Sequence, residues 1–336
     1  MQTRPFAAGL VAVTLAAAPA AATDPGDTRV LTVHAYDSFA RNAGPGIAEA
    51  FEADCDCRVE IVGTGSSGEL LPGLIAAEPA ARPDLVLGID TNNMAAARNS
   101  GLFRPHGVTL PSLDMPVAWD DPLFLPYNWG YYAFIYDSTR VGTPPASFAE
   151  LIASDLRVVI QDPHVSTTGL GLLMWVEAAF GDDAPAVWEA LADRPGTMVV
   201  PRWADAYHPV FRAGEADAVL SYATSPAYHV IVEGEDGPRA AAFDEGHYIR
   251  VEVAGLVDGA AEPELARDFL AFMFTDGFQS VIPTTRWLYP VVTPAAGLPD
   301  AFDTLIDPEV ALLFPDAEAA ERREAALARW RAAFGD

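Results

Sequence analysis

An α/β fold of two lobes, with mainly parallel sheets flanked by helices and two crossings between the lobes, is predicted by three features of this sequence. Short apolar segments alternate with helical stretches in two successive blocks, the signature of βαβ units joined by right-handed crossovers. Two long β-favouring segments, 127–136 and 248–257, stand between and after those blocks and read as the crossings. About 310 residues follow the N-terminal segment, room for two domains of roughly 150 each, and 51% of the chain is hydrophobic, enough for two cores.

Taken in order, the N-terminus carries Arg4, an apolar run over 6–18 and the small triplet Ala20-Ala21-Ala22. That pattern predicts a secretory signal peptide over 1–22, since the run is shorter than the roughly 20 apolar residues a spanning helix needs. Residues 31–36 read as a buried strand, and Gly44-Pro45-Gly46 punctuates the entry to a helix over 47–53. A strand over 58–62, a Gly/Ser loop over 63–68, a helix to Ala77 and a buried strand over 84–89 complete the first block. After a Pro-rich aromatic stretch and the first crossing, the pattern restarts with a strand over 157–160, a turn at Asp162-Pro163 and a helix opening at Ser166. A helix near 206–212, a strand over 218–222, the return crossing and amphipathic helices over 263–274 and 317–334 follow. The lobes are therefore expected as 28–126 with 250–336, and 127–249.

Charge removes whole classes of partner. With 20 basic against 47 acidic residues the formal net charge is −27, so nucleic acid and anionic membrane surfaces, which demand a basic face, are excluded. Every basic residue is an arginine, and a chain without lysine has no P-loop, Schiff-base or Ser-Lys chemistry. Cys55 and Cys57 are the only cysteines. In an oxidising compartment a local disulfide is the first reading, one that pins a turn because so short a loop removes little chain entropy. A free thiol pair is the alternative, and two thiols are too few for a structural zinc site.

Enzyme signatures are missing as well. There is no H-E-x-x-H, Gly65-Ser66-Ser67-Gly68 lacks the G-x-S-x-G spacing, and the six histidines form no i, i+4 pair. Aromatic residues instead fall at segment ends, where α/β folds place ligand crevices. Tyr36 ends the first strand, Trp203 precedes a helix, Tyr222 ends a strand, Tyr228 follows one turn later, and Trp287 opens a C-terminal segment. Each alone is more often core or rim, but together in an acidic protein they would cage a cation. Ser166 and Thr167 are N-cap residues whose helix N-terminus also offers N–H groups to a hydroxyl or phosphate. The loop with Ser66, Ser67 and Gly68 allows close backbone approach to a ligand, or is a plain surface turn.

Longer motifs carry a resemblance. Tyr-Asp-Ser-Phe at 36–39, Gly-Pro-Gly at 44–46, Phe-Glu-Ala-Asp-Cys-Asp-Cys at 51–57, and Asp-Leu-Val-Leu-Gly-Ile-Asp at 84–90 stand in order. Gly-Leu-Gly-Leu-Leu at 169–173, Ser-Tyr-Ala-Thr-Ser-Pro-Ala-Tyr-His at 221–229, Glu-Gly-His-Tyr at 245–248 and Trp-Leu-Tyr-Pro at 287–290 come after them. With these, residues 31–330 resemble the thiamine-binding proteins of bacterial ABC importers. The resemblance implies a type II periplasmic binding protein fold, a periplasmic location, a monomer, no catalysis and no cofactor. It implies thiamine or its phosphates as ligand and a membrane permease as partner. Carried over by position, Tyr36, Trp203, Tyr222 and Trp287 would contact the rings, Ala223, Thr224 and Ser225 would line the same wall, and Ser166 and Thr167 would meet the hydroxyethyl or phosphate end. Two departures stand out: Ser66-Ser67-Gly68 replaces an Asp-Gly pair of the family, and Ala43 stands where a relative has tryptophan. The alternatives are a polyamine or iron(III) carrier of the same fold and a periplasmic thiamine-processing enzyme; Tyr131-Tyr132 resembles a paired-tyrosine iron site, but adjacent strand residues point to opposite faces and are not expected to ligate one ion together.

Overall fold

The computed structural model of the protein describes residues 28–335; the expected signal over 1–22 lies outside them. The first block contains β1 (Arg29–Ala35), α1 (Asp37–Asn42), α2 (Gly44–Cys55), β2 (Cys57–Gly63), α3 (Ser67–Ala76), β3 (Leu85–Asp90), α4 (Met94–Asn99) and the short β4 (Phe103–Arg104). The long β5 (Phe124–Asp137) leads to α5 (Phe148–Ala153), β6 (Val158–Gln161), α6 (Thr167–Phe180), α7 (Ala184–Asp193), β7 (Thr197–Val200), α8 (Trp203–Ala206), β8 (Ala218–Tyr222), α9 (Ser225–Tyr228) and β9 (Pro238–Ala240). The chain returns through β10 (His247–Val257) to α10 (Pro263–Phe272), α11 (Asp276–Gln279), α12 (Ile282–Thr285) and, last, α13 (Asp316–Phe334). The helix expected near 206–212 is α8 running on into a π-helical turn, 207–212. Pro209 within that turn has no N–H to give to an α-helical bond, which favours the wider winding.

Strand order is β2-β1-β3-β10-β5-β8-β6-β7. Pairing is parallel on the two flanks, among β2, β1 and β3 and among β8, β6 and β7, and antiparallel in the centre, where β10 and β5 run in opposite directions. The βαβ units are thus parallel as expected, and the two crossings make the sheet mixed. β5 changes partner in mid-strand: Phe124 to Tyr131 lie along β10, Tyr132 to Tyr136 along β8. The chain passes from one sheet to the other at that change, with the expected boundary at 126/127 inside the same strand.

Burial follows the pattern of each strand. β1 turns Leu31, Val33 and Ala35 inward and leaves the residues between partly open, whereas all of β3 is buried, as befits a central parallel strand covered on both faces. One core gathers Leu31, Val33, Phe39, Phe269 and Phe278, and a second gathers Phe134, Phe148, Trp175 and Trp188. The last helix, expected with the first lobe, buries Ala319, Ala326, Leu327 and Trp330 in the second of these cores. Its Arg329 pairs with the buried Glu177 of α6, while Asp316 at its start accepts from Arg98 of α4 at 3.0 Å. Amphipathic spacing gives α13 a buried stripe without saying which lobe receives it. Cys55 and Cys57 are joined at the α2–β2 junction, their Cα atoms 5.1 Å apart, with Asp56 between them in the left-handed region at φ 46°.

Candidate functional site

The C-terminal ends of β1, β2 and β3 point the same way, the edge at which α/β sheets form ligand crevices. Tyr36 follows β1, Ser66 and Ser67 lie between β2 and α3, and Asp90 ends β3. The ring of Tyr36 lies so close to β3 that a β-carbon at Gly88 would sit 2.4 Å from it, and Gly88 also has φ 111°. Only glycine meets both demands.

The hydroxyl of Tyr36 enters a buried charged cluster that was not among the residues expected from sequence. Tyr36 Oη donates to Glu252, 2.8 and 3.0 Å from its two oxygens, and accepts from Arg286 Nη2 at 2.6 Å. Glu252 also accepts from Tyr127 Oη (3.1 Å), Asn128 Nδ2 (2.7 Å) and Arg250. Arg250 in turn donates to Tyr222 Oη at 2.9 Å and lies 3.9 Å from Asp90. Burial works to raise the pKa of Glu252, but Arg250, Arg286 and the hydrogen bonds from Asn128 and Tyr36 outweigh it and hold the carboxyl below its ordinary range. For Asp90 burial wins over Arg250 and Asn93, and its pKa rises. Desolvation likewise raises the Tyr36 hydroxyl.

A second wall is assembled around β8. Trp203 Nε1 donates to Ser221 Oγ at 2.8 Å, and that oxygen is 2.8 Å from Ser225 Oγ, which also accepts from the Tyr222 N–H at 3.4 Å. Thr224 Oγ1 donates to the Trp287 carbonyl at 2.5 Å, and the indole of Trp287 meets Tyr228 edge-on at 5.1 Å and 87°. Trp287 has φ 56°, a backbone setting that a bulky residue takes only where its surroundings hold it. Ser166 caps α6, accepting from the Gly169 N–H at 3.4 Å, and Thr167 offers its carbonyl to Tyr132 Oη at 3.3 Å. The Tyr132 ring is 5.4 Å from that of Tyr222, which ties this corner to the rest.

Tyr36, Trp203, Tyr222, Ser225, Tyr228 and Trp287 are therefore joined in one neighbourhood, with Ser166 and Thr167 at its side. The loop attaches through Asp37, which accepts from the Gly65 N–H at 2.9 Å. Several expected contacts take a different form. Ala223 and Thr224 are fully buried; a small residue at the end of β8 packs inward, and the hydroxyl of Thr224 is spent on Trp287. The Ser66 hydroxyl and N–H both turn to Glu69, at 2.7 and 2.8 Å, in a capping box, so an acid does stand beside the loop, in the first turn of α3 two residues beyond Ser67, while Gly68 is exposed. Guanidinium groups also cover the tyrosines, Arg286 at 4.9 Å from the Tyr36 ring and Arg250 at 5.5 Å from that of Tyr222. Trp203, Tyr228 and Trp287, all partly exposed, have no such cation over them among the described residues. Tyr131 and Tyr132 face opposite sides of β5, toward Trp129 and Tyr222 respectively, and form no pair. A cavity of about 460 Å³ is lined by Tyr136, Pro226, Val230, Arg239, Leu305 and Ile306, and none of Trp203, Tyr222, Tyr228 or Trp287 lines it.

Signals for the missed residues are present in the sequence. Arg250 and Glu252 sit two apart in an otherwise apolar strand, hence on one face, and Arg286 precedes Trp287.

Residues 40–280 match the family of bacterial extracellular solute-binding proteins. Over 308 residues the chain is 44% identical to the thiamine-binding periplasmic protein of Escherichia coli K12, covering 90% of this chain and 93% of that one. The protein of the same name from Brucella abortus is 43% identical over 307 residues, 90% and 91% of the two chains. Among solved structures, a periplasmic thiamin binding protein superposes with a TM-score of 0.84 at 43% identity, over 93% of this chain and 98% of that one. The ferric binding protein from Campylobacter jejuni superposes at 0.74 over 90% and 99% of the chains, but at 17% identity that is a likeness of fold alone.

Proposed function

This chain belongs to the bacterial extracellular solute-binding protein family, and we propose that it captures thiamine between its two lobes in the periplasm and delivers it to the membrane permease of an ABC importer. It works as a monomer whose two lobes, divided where β5 changes partner and with α13 packed on the second lobe rather than the first, close on the ligand, and it catalyses no reaction. The observation that carries the reading is the second wall, with the partly exposed aromatic rings of Trp203, Tyr228 and Trp287, beside a buried floor of balanced charge, in a chain 44% identical to thiamine-binding proteins. Such rings suit a flat, cationic ligand through stacking and cation–π attraction. Tyr36, Tyr222 and Ser225 fix the shape of the pocket from behind, and the loop of Ser66, Ser67 and Gly68 closes one end. Thiamine phosphates fit the same site, because Ser166 and Thr167 stand at the N-terminus of the 14-residue α6, where free N–H groups favour a phosphate.

The test is calorimetry with thiamine, its monophosphate, its pyrophosphate and spermidine, read alongside tryptophan fluorescence. Submicromolar binding of thiamine is expected, about −8 kcal/mol or stronger, with a change in emission. No heat and no fluorescence change at about 100 µM thiamine, two decades above such a Kd, with clear binding of spermidine, would overturn the reading.

A further inference from the structure

Behind Trp203 lies a polar chain that the site residues leave unexplained. The ring of Tyr207 stacks on the indole, centroids 4.8 Å apart at 28°, and lies parallel to the imidazole of His229 at 5.7 Å and 7°. Tyr207 and His229 are buried, at 2% and 0% exposure. His229 Nδ1 is 2.7 Å from Glu233 Oε2, and the same carboxylate oxygen accepts from Arg212 at 3.0 Å. A carboxylate held by arginine only accepts, so Nδ1 carries the imidazole hydrogen. Nε2 is then an acceptor, and Tyr207 Oη, 2.7 Å away, donates to it. Each group thus fixes the hydrogen of the next, from Arg212 to the tyrosine plate under the indole.

Backbone geometry points the same way. Tyr207 begins one π-helical segment, 207–212, and His229 begins another, 229–233. π-helical turns are rare, and they recur where side chains must be set at a functional position. A tyrosine that only filled space would need neither the buried histidine nor two such turns, since burying polar groups costs free energy unless they are paired.

We propose that Tyr207, His229 and Glu233 are positioning residues that hold the Trp203 indole in its ligand-receiving orientation, Tyr207 as the plate behind it and the His229–Glu233 pair as the lock on that plate. The proposal rests on the reading of Trp203 as a ligand wall. The indole is also held at its edge, bound through Nε1 to Ser221, with the His208 ring set edge-to-face against it at 6.2 Å. Face and edge together leave the ring little freedom in the unbound protein, so that ordering it on binding costs little.

The test joins a spectroscopic readout to a mutant cycle. The Trp203 indole N–H resonance is picked out from those of the seven tryptophans by its loss in Trp203→Phe. Tyr207→Phe keeps the ring and removes only the hydroxyl, while Glu233→Ala alters the partly exposed end of the chain and leaves the buried rings in place. Both are expected to shift that resonance in the unbound protein and to weaken thiamine binding about two- to tenfold, the scale of one hydrogen bond. In a Trp203→Ala background neither should weaken binding further. An unshifted resonance in the folded variants, or losses that persist undiminished in the Trp203→Ala background, would overturn the proposal. Should Trp203→Ala itself leave thiamine binding unchanged, it is the wall reading that fails, and the resonance alone then decides on the relay.

Discussion

Replacing Glu252 by glutamine tests the charged cluster most directly, because the substitution keeps the shape and removes the charge. Glu252 is fully buried and accepts from Tyr36, Tyr127, Asn128 and Arg250. A glutamine amide keeps one acceptor oxygen and puts an NH₂ group at the other position. If that group faces Asn128 and Tyr127, donor meets donor on one side; if it faces Arg250, donor meets donor on the other. In either orientation Arg250 loses its paired carboxylate and Arg286, which meets Glu252 through the Tyr36 hydroxyl, loses the charge that faces it, while Asp90 is 3.9 Å from Arg250. Breaking a buried ion pair from one side costs about 3–5 kcal/mol, most of it the stranded charge.

For a chain of this size about 2 °C of melting temperature corresponds to 1 kcal/mol, so Glu252→Gln should melt about 6–10 °C below the parent by circular dichroism at neutral pH. Added salt should narrow that gap little, since a buried pair is poorly screened. The pH dependence has a defined sign. The folded pKa of Glu252 lies below its ordinary 4.5, so its contribution is present above that value and is lost as pH falls through the folded pKa. The parent and the variant should therefore converge in strong acid. A loss below about 1 kcal/mol at neutral pH, far under the cost of a stranded buried charge, would refute the argument that Glu252 balances the two arginines.

Two further outcomes follow from single groups. His247 donates from Nδ1 to the Tyr132 carbonyl at 2.7 Å and accepts the Phe243 N–H at 3.0 Å; burial, only partly offset by that carbonyl, lowers its pKa from 6.5 to about 4. The unfolded chain takes up a proton where the folded one does not, so stability is complete above 6.5 and declines by about 3 kcal/mol as pH falls toward 4. In a melt series the gap between the parent and His247→Gln should narrow over that range, and a constant gap would count against it. Ser67→Asp places an acid at the first turn of α3, where the helix dipole favours it. Calorimetry should show thiamine binding tightened by up to about 1.5 kcal/mol, the difference between neutral and charge-assisted hydrogen bonds, and unchanged affinity would mean that the loop does not face the aminopyrimidine.

Local pattern carried most of the fold. The alternation of apolar segments with helical stretches located β1, β2, β3, β6 and β8 to within a residue or two at each end, because burial of a strand is written in its own side chains. The crossing was legible as a long apolar segment, but not the change of partner between Tyr131 and Tyr132, which depends on two other strands, β10 and β8, more than 80 residues further on. The partner of α13 escaped for the same reason. In the site, the aromatic positions were readable one by one, and Glu69 three residues after Ser66 carries the capping-box spacing. The union of Asp90, Arg250, Glu252 and Arg286 was not readable, since it arises only where β3 and β10 lie side by side and Arg286, just after α12, meets Tyr36.

That union changes where attraction for a cation must come from. The chain bears a formal charge of −27, yet at the floor of the site two carboxylates, Asp90 and Glu252, stand against two arginines, Arg250 and Arg286. The local sum is near zero. Surface charge draws a cation toward the protein, but it acts through water and fades beyond about 8 Å at physiological salt, so it speeds encounter more than it holds the ligand. Nor do Tyr36 and Tyr222 offer both faces, since a guanidinium lies over each. On the proposed reading, retention falls to Trp203, Tyr228 and Trp287, the partly exposed site rings over which no arginine lies among the described residues, through stacking and cation–π attraction. The arginines serve another end: by spanning Tyr222 and Tyr36 through Glu252, they fix the two tyrosines relative to each other at the strand that joins the lobes. On the same proposed reading, closure would bring a ligand against surfaces that are already set, so that binding energy is not spent on ordering them.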